Sequence, residues 1–177
     1  MLLDWQSRTS VADLLRQLGW DVKLSQETGL PGITPDYKLV EYAQADARLF
    51  FTFDHLTGEH GALVAKQLRE YGGKVLKIRG GPDQSPYRAV GRILFYYPEW
   101  EPFLRSQSGL ADISDTKHAC WLYTPSEYLQ KTFPTGAKQF EEYLGRQRKK
   151  RSDAGRRKSG VPIEQHHMPL DIAKPGS

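Results

Sequence analysis

Cysteine is almost absent: Cys120 stands alone among 177 residues, which excludes an internal disulfide and a metal site built from several cysteines. Long apolar runs are missing too. The run ILFYY at 93–97 falls far short of the about 20 residues that cross a bilayer. The opening MLLDWQSRTS places an acid at position 4 and no basic start before an apolar stretch. No secretory signal is expected, and the cytoplasm is the expected location. No Gly-x-Gly-x-x-Gly follows the first strand-like segment, so the dinucleotide fingerprint is lacking. RGGP at 79–82 is glycine-rich but has no Lys-Ser or Lys-Thr after it, and reads as a turn. No internal repeat is visible.

What is present is ordinary in bulk and uneven in charge. With 38% hydrophobic and 26% charged residues, the composition is that of a globular chain. Its length suits one domain plus an extension. Residues 145–160, GRQRKKRSDAGRRKSG, hold eight basic residues and one acid, a charge of +7; the whole chain carries +4, so the remainder stands at −3. The basic residues are Arg146, Arg148, Lys149, Lys150, Arg151, Arg156, Arg157 and Lys158. Such a segment suits a polyanion, because lysine and arginine release counterions from phosphates. It also fits a solvated tail with no partner.

Periodicity sets the expected fold. Residues 1–3 read as a strand, and Val11, Leu14, Leu15 and Leu18 form one helix face that Gly19 closes. WDVKL at 20–24 alternates as a strand. Thr34, Pro35 and Asp36 mark a helix start, with Thr34 as the expected cap. Residues 48–53 are nearly all apolar, as in a parallel strand covered on both faces. A helix from 58 or 59, a strand at 74–78 and a helix at 87–97 that Pro98 stops or kinks complete four strand–helix units. The expectation is a three-layer α/β fold with a mostly parallel sheet over 1–105. An extension over 106–144 and a basic tail over 145–177 follow. ACWLYT at 119–124 is a fifth strand or a docking segment, and 136–151 reads as helical.

In parallel sheets, ligands bind beyond the carboxyl ends of the strands. Asp4 and Asp54 end strands there, and Asp36 opens a helix at the same rim. Clustered carboxylates repel unless protonated or bridged by a cation, and hard oxygen donors suit Mg²⁺ or Mn²⁺. Each acid also has a plainer reading: Asp54 as a helix cap, Asp36 as a helix-start residue, Asp4 as a surface acid.

The segments LLD (2–4), LLRQLGWDV (14–22), GITPDYKLVEYA (32–43) and RLFFTFD (48–54) together resemble the PIN-like domain family, in its short, toxin-like branch. The resemblance implies a Rossmann-like α/β/α sandwich and a Mg²⁺- or Mn²⁺-dependent endoribonuclease, with some relatives acting as toxins of toxin–antitoxin pairs. By position, Asp4, Asp36 and Asp54 would bind metal, and the Thr52 hydroxyl would orient the site. The branch commonly carries a second acid where Leu56 stands, and Glu59, or else His55 or His60, is the candidate substitute. Its usual Asn after the first acid is also absent, leaving Gln6 and Ser7 to supply polar contacts. Single-stranded RNA, an antitoxin protein and a second copy of the chain are the expected partners, with no membrane.

Other readings stay open. The same fold with an incomplete acidic set would be a nucleic-acid-binding or partner-binding module. A non-nuclease α/β protein with a basic tail is a third. Aromatic residues from Tyr87 to Tyr128 could stack bases or cover the sheet. Arg79, Arg88 and Arg92 are candidates for phosphate contacts near the rim. Cys120 reads as a core or edge residue, and His166-His167 as an unsupported metal pair.

Overall fold

A computed structural model describes residues 1–5, 7, 9–80, 84–114, 118–132, 142 and 145. The strands are β1 (Leu2–Leu3), β2 (Lys23–Leu24), β3 (Phe50–Thr52), β4 (Lys74–Ile78), β5 (Gly109–Ser114) and β6 (Ala119–Tyr123). They form one sheet in the order β2-β1-β3-β4-β5-β6, parallel throughout except for the antiparallel β6. The helices are α1 (Thr9–Gln17), α2 (Asp36–Ala45), α3 (Gly58–Glu70), α4 (Pro86–Phe95), α5 (Tyr97–Ser106) and α6 (Pro125–Thr132). The architecture is thus α/β with a mostly parallel sheet. No described helix is long and apolar enough to cross a membrane.

Side-chain alternation sorts the strands. Leu3, Phe51, Leu76 and Ala111 join one cluster with Val11 and Leu15 of α1, Val90 and Ile93 of α4, and Trp100 and Leu104 of α5. Neighbours in sequence point the other way, and α3 runs beside both α2 and α6. β1 is only two residues long, yet both are fully buried. It is held between β2 and β3.

Several boundaries differ from the sequence reading for visible reasons. β2 is limited to two residues. Trp20 leaves the strand to meet Tyr97 edge-on and Trp100 at a tilt, at 5.8 and 6.1 Å between ring centroids. The Val22 carbonyl accepts from Arg16 Nε and Nη2 at 3.1 and 2.9 Å. Pro98 sits in the first turn of α5, where a missing N–H costs nothing. The chain therefore starts a new helix there, stitched to α4 by Trp100 Nε1 donating to the Ile93 carbonyl at 2.9 Å. Thr34 does not cap α2: its hydroxyl donates to the Pro31 carbonyl at 2.6 Å, and Pro35 occupies the cap position.

The sheet continues past residue 105. β5 pairs in parallel with β4, and β6, at the position of the expected fifth strand, closes that edge. The chain divides into units 1–140 and 141–177. The helix expected over 136–151 lies almost wholly outside the described residues.

Phe51 is fully buried between the strands and the α1 side of the core. Phe51→Ala is expected to cost about 3–5 kcal/mol, read as a lower urea midpoint with unchanged slope; a loss below about 1 kcal/mol would contradict this packing.

Candidate functional site

The strand order reverses direction between β1 and β3. In open α/β sheets, such a switch point leaves a crevice at the carboxyl ends where ligands bind. Asp4 and Asp54 flank this crevice. The Asp4 N–H donates to the Phe51 carbonyl at 2.9 Å, extending the ladder one residue beyond β1. Its Oδ2 accepts from the buried Thr52 hydroxyl at 2.8 Å. The same hydroxyl oxygen accepts from the Asp54 N–H at 2.9 Å. Thr52 thus fixes both the first acid and the backbone of the third.

Asp54 is half-buried. Its Oδ1 accepts from the His55 N–H at 2.6 Å, while α3 begins at Gly58 with Thr57 at its cap position. The helix-cap reading of Asp54 therefore does not apply. Asp36 is the first residue of α2 and half-buried. A helix N-terminus stabilises a carboxylate by about 0.3–1 kcal/mol, so position alone would lower its pKa. Instead burial, and then the charges of Asp4 and Asp54, push its carboxyl up to about 7, with His60 opposing. Repulsion and desolvation outweigh the helix end. Asp4 and Asp54 thus act electrostatically on Asp36 from two other parts of the chain.

The loop after Asp54 is tightly held. Leu56 has φ of 46°, a left-handed conformation that costs a branched side chain energy. Two hydrogen bonds restrain it. The Leu56 carbonyl accepts from the buried Tyr128 hydroxyl at 2.8 Å, and the His55 carbonyl accepts from Lys77 Nζ at 2.8 Å. Gly61 leaves the room: a Cβ there would stand 1.9 Å from the Leu56 oxygen. Leu56 itself is buried. An acid at this position would be an interior charge rather than a ligand.

The remaining candidates differ in burial. Glu59 is exposed in the first turn of α3, and the charges acting on Asp36 are those of Asp4, Asp54 and His60. His55 and His60 are exposed as well. Ser7 is buried beside Asp4, its N–H donating to the Asp4 carbonyl at 2.9 Å, and its hydroxyl has no hydrogen-bond partner among the described residues. Gln6, His166, His167 and the basic residues Arg146, Arg148, Lys149, Lys150, Arg151, Arg156, Arg157 and Lys158 lie outside the described residues. Burial, followed by Glu99 and Asp112, pushes the Cys120 thiol up to about 12, in keeping with an inert edge residue.

A second group went unnoticed in the sequence. Lys77 on β4 and Asp112 on β5 are register partners and both buried. Lys77 Nζ stands 3.2 Å from Asp112 Oδ2. Arg79 forks onto the same carboxylate, with Nε 2.9 Å from Oδ1 and Nη2 2.6 Å from Oδ2. Burial drives Asp112 up, but Arg79 and Lys77 outweigh it and hold the carboxyl below its ordinary value. Burial lowers the Lys77 ammonium against the pull of Asp112. The signal was a lysine between Leu76 and Ile78, in a strand that is apolar at every other position after Lys74. Of the three arginines expected near the rim, Arg79 is the one that reaches this group; Arg92 donates to the Arg79 carbonyl at 3.0 Å, and Arg88 is exposed.

Asp4, Asp36 and Asp54 fit a hard divalent cation by donor type. As placed, no group of three or more His, Cys, Asp or Glu among the described residues is gathered closely enough to hold a metal ion. Compared with known proteins, the chain matches no family model, no curated protein and no solved structure.

Two outcomes follow. The folded-state pKa of Asp36 lies above its unfolded value, so the group favours folding less as pH rises from 3.8 through about 7. Asp36→Asn should melt above the wild type, by a gap that widens from about pH 4 to about pH 7 and is constant beyond; a pH-independent gap in thermal melts would refute the coupling. Gly61→Ala should cost about 1–3 kcal/mol and shift the amide resonances of Asp54 and His55, because its Cβ displaces the Leu56 carbonyl.

Proposed function

We propose that the chain is a metal-dependent endoribonuclease of PIN-like type, with its reaction site at the β1/β3 switch point. The observation that carries this reading is the buried Thr52 hydroxyl at that switch point, which joins the Asp4 carboxylate and the Asp54 N–H at 2.8 and 2.9 Å, with Asp36 near enough for both acids to push its carboxyl up. A carboxyl that ionises only near neutrality beside two others is a place where a divalent cation is favoured. The strand order and the helices packed about the sheet support a Rossmann-like three-layer sandwich. Asp4, Asp36 and Asp54 would hold Mg²⁺ or Mn²⁺. Such an ion supplies a water of lowered pKa and neutralises charge at a scissile phosphate. Thr52 keeps Asp4 oriented and aligns the Asp54 backbone. The buried Ser7 hydroxyl is a spare donor beside Asp4. The basic segment 145–160 would add affinity for RNA without choosing sequence, and a cytoplasmic toxin with a protein antitoxin is the setting this fits.

A second reading has its own observation. Glu59 is exposed and Leu56 buried, so neither position adds a fourth acid to the crevice. On that reading the chain binds RNA or a partner without turnover.

Cleavage of labelled single-stranded RNA in Mn²⁺, Mg²⁺ or EDTA separates the two. The nuclease reading expects metal-dependent cleavage that Asp54→Asn lowers at least about a hundredfold, as for loss of a group acting in the transition state. Intact RNA in every condition, with salt-sensitive binding unaffected by the substitution, would leave the binding module.

A further inference from the structure

We propose that the cations and aromatics around Asp112 form a subsite for one phosphate and one base of a single-stranded nucleic acid, beside the acidic crevice. The inference rests on nucleic acid being the ligand, as proposed above, but not on its cleavage.

Charge is the first argument. Three cations share the Asp112 carboxylate: Lys77 at 3.2 Å, Arg79 at 2.6 Å and Lys131 of α6 at 3.5 Å. Lys77 and Asp112 are both buried and neutralise each other. Arg79 and Lys131 remain as a surplus of two positive charges. Their side chains are 36% and 37% exposed, so an anion can reach both. The loosest of the three contacts belongs to Lys131, whose Nζ also donates to the Tyr123 hydroxyl and so ties the surplus charge to the β6 aromatics. A guanidinium beside an ammonium is a matched pair for phosphate oxygens.

The aromatic partners are the second argument. The Arg79 guanidinium lies 4.9 Å from the Trp121 ring centroid, and Lys131 Nζ lies 5.8 Å from the same ring and 4.0 Å from that of Tyr123. Trp121 and Tyr123 are half-exposed on β6, the last strand of the sheet. Half-exposed rings interleaved with surplus cations are the two components of single-strand binding: stacking for the base and charge for the backbone.

Placement is the third. Thr52, Lys77, Asp112 and Trp121 are successive register partners across β3, β4, β5 and β6. Two strand spacings, about 10 Å, separate Thr52 from Asp112. Lys77 also holds the carbonyl of His55, the residue after Asp54. A strand lying across the carboxyl ends of the sheet would meet the acids and then the cations.

The test is the binding of a short labelled oligouridylate to the full chain in EDTA, where no metal chemistry occurs, across a salt series. Lys131→Gln should weaken binding about tenfold and reduce the salt slope by about one. Trp121→Ala should weaken it about tenfold with the slope unchanged, and Trp121→Phe should restore it. Both sites are partly exposed, and equal melting temperatures would verify folding. Unchanged affinity and slope in folded Lys131→Gln and Trp121→Ala would overturn the subsite. These losses in a chain that never cleaves RNA would sink the nuclease reading and keep the subsite. Cleavage with wild-type binding in both variants would do the reverse.

Discussion

The Thr52 hydroxyl is the junction on which the acidic crevice depends. One oxygen donates to the Asp4 carboxylate and accepts from the Asp54 backbone, so two strands that meet at the switch point are tied by a single fully buried atom. A buried hydroxyl with both roles filled is stable; with either partner removed, it leaves an unsatisfied polar group in the interior. Threonine meets this demand on a strand better than serine, because its branched side chain suits the pleat. The geometry of the acids is therefore set from beneath the site.

The same logic extends along the sheet. Lys77 and Asp112 are a buried ion pair, which is seldom a net source of stability once desolvation is counted. Its value here is positional. Lys77 uses its ammonium twice, on Asp112 and on the His55 carbonyl, and so couples the interior of β5 to the loop after Asp54. Tyr128 of α6 holds the same loop through the next carbonyl, that of Leu56. The left-handed Leu56 persists because these contacts over-determine it.

Much of this was readable from the chain, and the parts that were not share a cause. The apolar run before Asp54, the proline-marked start of α2 and the order of the three acids are local signals, and each lies where local physics put it. β5 was missed because GLADIS carries an acid in mid-strand, which reads as a surface position. Lys77 and Arg79, more than 30 residues away, together with Lys131 of α6 make burial of that acid tolerable. Trp20 looked like part of a strand until Tyr97 and Trp100 were in place to receive it. Glu59 looked like a spare ligand because spacing along a helix start does not say which way the first turn faces. Tertiary partners decided the cases of Asp112 and Trp20.

Thr52 and Asp4 are 48 residues apart in sequence. No local segment contains enough of the crevice to form it alone, and the chain must close a long loop before the hydroxyl finds its carboxylate. Contacts of this separation are made late and slowly when a domain folds. A nascent or partly folded chain thus carries its acids on unconnected pieces. Whatever chemistry the crevice performs is confined to molecules that have completed their sheet.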